Sequence, residues 1–235
     1  MREYVTACAS HDNAAHTRQV LDRIVIDPRL HARFVNTLSR LEYVGVRKIL
    51  KSRRSERIGI DGLQHILDEA VHALRLKKAA VALAGGGGAG VVTFADDATL
   101  AGDAGEGYLQ ALDRRAEEAL LDLPEGDRAE ANYHLTSAAI EVRAQVFYPL
   151  YDQCLQANRV GFSVAAISKD EDRHLEEMAV GLERTLPEWR RRLEAVLAAE
   201  EALYARFLAA VESAVEGALK DAPPALRFHG AVSNA

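Results

Sequence analysis

Residues 65–72 read HILDEAVH. On a helix His65, Glu69 and His72 fall at steps of four and three, and so share one stripe. The segment SKDEDRH, 168–174, repeats the pattern: Glu171 stands three positions before His174, and Asp170 immediately precedes Glu171 as Asp68 precedes Glu69. A carboxylate and an imidazole at i and i+3 offer hard-to-borderline donors on one side of a helix, which is the chemistry of a divalent cation site. Two such half-sites point to one shared ligand.

The elements that must position these residues are helices. Asp27-Pro28 opens helix A, about 28–52, in which Leu30, Phe34, Leu38, Leu41, Gly45 and Ile49 recur at steps of three and four. The polar SRRSER segment reads as a short loop, so helix B, about 59–84, is antiparallel to it and carries Leu63, Leu67, Ala70 and Leu74 on one stripe. GGGG at 85–88 ends helix B, because each glycine costs a helix about 1 kcal/mol relative to alanine. A long crossover follows, with room for an extended piece and a shorter helix at about 106–122. Helix C is expected at about 127–158, with a kink near Pro149, and helix D at about 161–185. On helix D, Glu171 and His174 interrupt an apolar stripe of Val160, Val164, Ile167, Met178 and Leu182. Pro187 starts helix E, about 187–220, with Leu193, Val196, Leu203, Phe207, Val211 and Val215 on one side. The fold class is all-α, a single domain over 1–235, and no strand-period segment competes.

A buried carboxylate must be paired or bound to a metal, since stripping an ion of water costs several kcal/mol. Helices A and C supply one central carboxylate each, Glu42 in LSRLEYVGV and Glu141 in TSAAIEVRA. Glu69 follows Glu42 by 27 positions and Glu171 follows Glu141 by 30, so the two halves have similar spacing. In this order the sequence resembles the ferritin-like di-iron carboxylate proteins, where two helices of a four-helix bundle give one Glu each and the other two give Glu-x-x-His. The resemblance covers roughly 28–185.

It implies a ferritin-like bundle with a long B–C crossover and additional N-terminal, crossover and C-terminal helices. It implies Glu42, Glu69, His72, Glu141, Glu171 and His174 as ligands of two Fe ions, with Mn or an Fe/Mn pair as variants. Four glutamates offset the charge of two divalent cations about 3.5–4 Å apart. In many members of this superfamily the preceding aspartate reaches the ligand histidine of the other half, which pairs Asp68 with His174 and Asp170 with His72. His65 stands one turn before Glu69 and reads as a hydrogen-bonding neighbour rather than a ligand. The arylamine N-oxygenases of this class carry an extra histidine four before a motif glutamate, but in their second half, where this chain has Ile167. Tyr43 and Tyr148 lie near ligand positions and read as packing residues, His134 as a polar residue further along the bundle; His11, His16, His31 and His229 have no context that singles them out.

The implied activity is an oxidase or oxygenase that activates dioxygen and acts on a small organic molecule, with an electron donor allowed for. Leu76 occupies the position where ribonucleotide reductase small subunits usually carry their radical tyrosine, and helix E and the crossover fit a storage cage poorly. A ferroxidase or peroxide-detoxifying role at the same site is the alternative within the class. Outside it stands a metal-free helical interaction protein whose acidic residues pair with Arg40, Arg47, Arg143 and Arg173.

Composition agrees with these readings. A 49% hydrophobic content suits a globular chain, and a net charge of −6 argues against a nucleic-acid surface. Cys8 and Cys154 lie far apart in no C-x-x-C pattern, and the longest apolar run, Ala79–Val92, holds five glycines, so neither a disulfide framework nor a membrane span is expected. A cytoplasmic protein, with a homodimer formed on an exposed helix face, is the expectation.

Overall fold

The structure is a computed structural model that describes residues 1–52, 58–86, 88 and 90–220. The described residues form an all-helical fold: α1 (Arg2–Ala9), α2 (Asp12–Val25), α3 (Pro28–Ser52), α4 (Ile60–Ala84), α5 (Gly102–Glu118), α6 (Glu125–Ala157), α7 (Ala165–Thr185) and α8 (Trp189–Lys220). The SRRSER loop lies largely, and His229 wholly, outside the described residues. Helices α3 and α4 pack as one hairpin and α6 and α7 as another, and α3 meets α6 while α4 meets α7. α1, α2, α5 and α8 cover the α3/α6 side. Among the described residues no helix is long and apolar enough to cross a membrane.

Pro28 occupies the first turn of α3, where its missing N–H is no loss, and Asp27 accepts from the backbone N–H of Arg29 at 2.9 Å. The inward stripe of α3, with Leu30, Phe34, Leu38 and Ile49 buried, follows the sequence period. The same is true of α7, where Ile167, Glu171, His174, Met178 and Leu182 are all buried behind the capping Val164, and of the apolar stripe of α8.

α4 inverts the usual rule. Its buried stripe is Gly62, His65, Glu69, His72, Leu76 and Ala80. The apolar stripe of Leu63, Leu67 and Leu74 lies on the opposite side and is more than half exposed at each leucine, with Ile60 at 85%. The inward face of this helix was therefore filled by donors rather than hydrocarbon.

The crossover contains no strand among the described residues, only a 3₁₀ turn at Asp96–Ala98 before α5. Polar residues of α3 hold it: Asn36 Nδ2 donates to the carbonyls of Thr93 (2.8 Å) and Ala98 (2.7 Å), and the Thr37 hydroxyl to that of Leu100 (2.8 Å). α5 begins four residues before the expected 106, after Ala101 in the left-handed region. Gly105 marks a close approach within this helix, since a Cβ there would sit 3.0 Å from Leu41 Cδ2 and 3.1 Å from Phe207 Cε2. α7 starts at Ala165 rather than 161. α8 starts at Trp189, because Glu188 takes a φ of 51° that no helix continues through. α6 runs as one helix through Pro149.

Candidate metal centre

The central turns of α3, α4, α6 and α7 bring together Glu42, Glu69, Glu141, Glu171, His65, His72 and His174. They form two overlapping groups. His65, Glu69, Glu141 and His174 each offer one ligand atom, all within 4.8 Å of one another; Glu42, Glu69, His72 and Glu171 do the same. Glu69 belongs to both. Glu171 faces both, with Oε1 3.4 Å from His72 Nδ1 and Oε2 2.9 Å from His174 Nδ1. All seven are buried except Glu42, which is intermediate.

Each motif histidine turns Nδ1 inward and Nε2 outward. His72 Nε2 lies 3.1 Å from Asp170 Oδ2, and His174 Nε2 lies 3.3 Å from Asp68 Oδ2, each pair joining α4 to α7. Asp68 is itself held by Arg173 at 2.7 Å and by Gln64 Nε2 at 2.8 Å. The inward His72 Nδ1 is buried with no hydrogen-bond partner, 3.9 Å from Glu42 Oε2. An imidazole nitrogen left unmatched among carboxylates while its other nitrogen is oriented by an aspartate fits a cation ligand.

Protons balance the cluster when no cation does. Burial, then the charges of Glu69 and Glu171, push the Glu42 carboxyl well above its ordinary range, and burial with Glu171 and Glu69 does the same to Glu141. Burial also opposes charge on His72, but the surrounding Glu171, Glu42 and Glu69 outweigh it and raise its pKa to about 10. For Glu171 burial is outweighed in turn by the hydrogen bond from His174 and the nearby charge of His72, which hold it below the usual carboxylate range. A set that stores protons this way releases them on binding a cation.

The arginines that could neutralise the cluster engage other groups. Arg40 pairs with Asp103 and Glu106, Arg47 with Glu106, and Arg173 with Asp68 and Glu177. Arg143 points away from Glu141 into a bidentate bond with Glu200 (2.9 and 2.7 Å), which also accepts from the Tyr108 hydroxyl at 2.6 Å. Tyr148 does more than pack, because its hydroxyl donates to Glu42 Oε1. Tyr43 stacks on Phe94 away from the cluster. His134 is buried against Gly181, beside Tyr133.

No family model, curated protein or solved structure gives a significant match to the chain. A buried Glu/His group able to hold a metal ion is present.

Two features escaped the sequence reading. The first is Gly45, where a Cβ would stand 2.6 Å from Glu69 Oε2, so this glycine makes the space that Glu69 occupies. A glycine three after Glu42 was the available signal. The second is a cavity of about 540 Å³ reaching Glu42, Glu69, Glu141 and Glu171. Its walls include Leu38, Leu41, Ile140, Ala144 and Phe147, from two different helices, a juxtaposition that periodicity along one chain segment does not reveal.

Proposed function

We propose that the protein is a ferritin-like oxidoreductase that holds two Fe ions, or Mn or an Fe/Mn pair, between α3, α4, α6 and α7 and activates dioxygen toward a small organic substrate. The observation that carries this reading is the pair of overlapping donor groups sharing Glu69, with the two oxygens of Glu171 turned to His72 and His174. Shared carboxylates are what two closely spaced cations need to offset their repulsion. Glu42 and Glu141 serve as donors to one cation each. Asp170 and Asp68 accept from the outer nitrogens of His72 and His174, which fixes the tautomer that leaves Nδ1 free to bind. Carboxylate and imidazole donors without thiolate suit Fe(II) and Mn(II), and such a pair would supply two electrons toward dioxygen, any further ones coming from the substrate or an electron donor.

The cavity favours an organic substrate over simple ferroxidase chemistry, because its walls are largely apolar and leave room for a molecule of modest size beside the carboxylates. Tyr148 steadies Glu42 at the edge of that space. A homodimer, if formed on an exposed helix face, has the outward leucine stripe of α4 available to it.

The deciding experiment is metal content after anaerobic Fe(II) loading and desalting. Close to two ions per chain are expected, and Glu171→Ala is expected to lose most of that occupancy while leaving the metal-free fold intact or more stable. A parent protein that retains no iron ends the reading. Oxygen uptake that runs to completion with Fe(II) alone, indifferent to organic compounds, would move the assignment to ferroxidase activity.

A further inference from the structure

The two donor groups are chemically unequal, and the difference is His65. This histidine shares the inward stripe of α4 with Glu69 and His72 and is 2% exposed. Its Nε2 lies 3.5 Å from Glu69 Oε1 and 3.6 Å from Glu141 Oε1. His174 Nδ1 lies 3.8 Å from each of the same two oxygens. Distances of 3.5–3.6 Å are too long for a good hydrogen bond to either carboxylate. They are close to the separations of about 3.0–3.4 Å that ligand atoms take when each stands about 2.1 Å from one shared cation. The nitrogen is held between two oxygens rather than committed to one.

The other nitrogen is committed. His65 Nδ1 lies 2.7 Å from the Tyr133 hydroxyl on α6; with Nδ1 donating to that oxygen, the Nε2 lone pair faces the cluster. The arrangement matches that of His72 and His174 with the ring reversed: in those two the outward nitrogen is Nε2 and its partner an aspartate.

We infer that His65 is a seventh metal ligand, so that the centre consists of an imidazole-rich site (His65, His174, Glu69, Glu141) beside a carboxylate-rich one (His72, Glu42, Glu69, Glu171), with Tyr133 positioning the His65 ring. The inference rests on the two-metal reading above. It adds a consequence that symmetric sites do not have: borderline ions such as Fe(II), Co(II) or Zn(II) favour the imidazole-rich site, and Mn(II) the carboxylate-rich one.

The test uses metal-free full chain titrated anaerobically with Mn(II) alone and with Co(II) alone, followed by calorimetry, and by electron paramagnetic resonance for Mn(II). The parent is expected to bind two ions, Co(II) with a larger affinity difference between the sites than Mn(II). His65→Ala is expected to weaken the imidazole-rich site by at least about 100-fold, so that one ion is bound over the concentration range in which the parent binds two. His65→Asn decides between roles, because its amide reproduces the Nδ1 donor to Tyr133 but withdraws Nε2. A ligand role predicts that His65→Asn binds one ion, as His65→Ala does. Two ions bound by His65→Asn with parental affinities would overturn the assignment and leave His65 as a hydrogen-bonding neighbour. If the parent itself binds none, the two-metal reading falls instead. Tyr133→Phe is expected to weaken the same site about 10-fold with unchanged stoichiometry.

Discussion

Gly45 shows how one residue sets the geometry of a centre it never touches as a donor. In the interior of α3 a glycine costs about 1 kcal/mol relative to alanine, so something at this position must outweigh helix propensity. The Glu69 carboxylate is that thing, since it occupies the space a Cβ would need. Gly45→Ala is therefore expected to leave the metal-free protein as stable as the parent or up to about 1 kcal/mol more so, while displacing the flexible end of Glu69 and lowering cation affinity. Thermal melts and metal titration on the same preparation check both halves; unchanged affinity would show that Glu69 relocates without consequence. Asp170→Asn belongs to the same scale. Its loss of charge opposite His72 Nε2 is expected to cut metal affinity about 10–100-fold with the fold preserved, and equal affinities in titration would reduce Asp170 to a solvated partner of Arg173. The residue types and spacing of Glu42, Glu69, His72, Glu141, Glu171 and His174 were visible in the sequence as a pattern. The part played by Gly45 was not, because it depends on how closely α3 and α4 approach.

At the level of elements, legibility depended on what fills each inward face. α3, α7 and α8 bury mostly hydrocarbon, so apolar periodicity pointed inward correctly. α4 buries three ionisable side chains, and its most apolar stripe faces outward, so periodicity alone assigns the wrong face there. α5 begins earlier than the expected 106 because its first turns pack closely: Gly105 lies where a side chain would meet Leu41 of α3 and Phe207 of α8. His31, in the first turn of α3, was passed over for want of local context, yet it pins α3 to α6. It is 1% exposed, its Nε2 lies 2.6 Å from the Tyr151 hydroxyl, and its ring stacks on Phe162. Burial lowers its pKa from 6.5 to about 4. The folded state thus favours neutral His31, and the unfolded chain takes up the proton first as pH falls. The contribution is complete above pH 6.5 and is lost as pH falls toward 4, and the shift corresponds to roughly 3 kcal/mol as an order of magnitude. His31→Gln, which keeps a polar partner for Tyr151 but does not titrate, is expected to show a flatter loss of stability between pH 6.5 and 4 than the parent. Urea midpoints of both proteins at pH 7, 5.5 and 4.5 measure the difference, and parallel slopes would clear His31 of any part in acid sensitivity.

For the molecule as a whole, the four helices that carry the donors are held unequally. α3 and α6 are covered on their outer sides by α1, α2, α5 and α8, and share one large hydrophobic core with α2, α5 and α8, while α1 buries Cys8 in a smaller cluster with Val142 and Val146 of α6. α4 lies on the other side, resting on α3 and α7, and the buried part of its own stripe offers only Leu76 and Ala80 to that core beside the donors. Hydrophobic burial therefore secures α4 less than its neighbours, and the polar cluster must do more of the holding. Without a cation that cluster is held by mutual hydrogen bonds and by the protons that Glu42, Glu141 and His72 retain, and those bonds compete with water. With two cations held as proposed, Glu69, His72 and His65 on α4 would be tied through metal to Glu42 on α3, Glu141 on α6 and Glu171 and His174 on α7. Binding to the folded state alone stabilises it by mass action, by about 2.7 kcal/mol when free metal is 100 times its dissociation constant. The gain in local protection should fall where the metal-free structure opens most readily. Amide hydrogen exchange is accordingly expected to slow most within 60–80 on metal loading, next within 165–178, and least in α2 and α8, whose packing owes nothing to the site. Exchange that slows evenly over all helices would mean that the protein opens only globally and that α4 is as firmly seated as the rest. Slowing confined to α8 would contradict the placement of the centre itself.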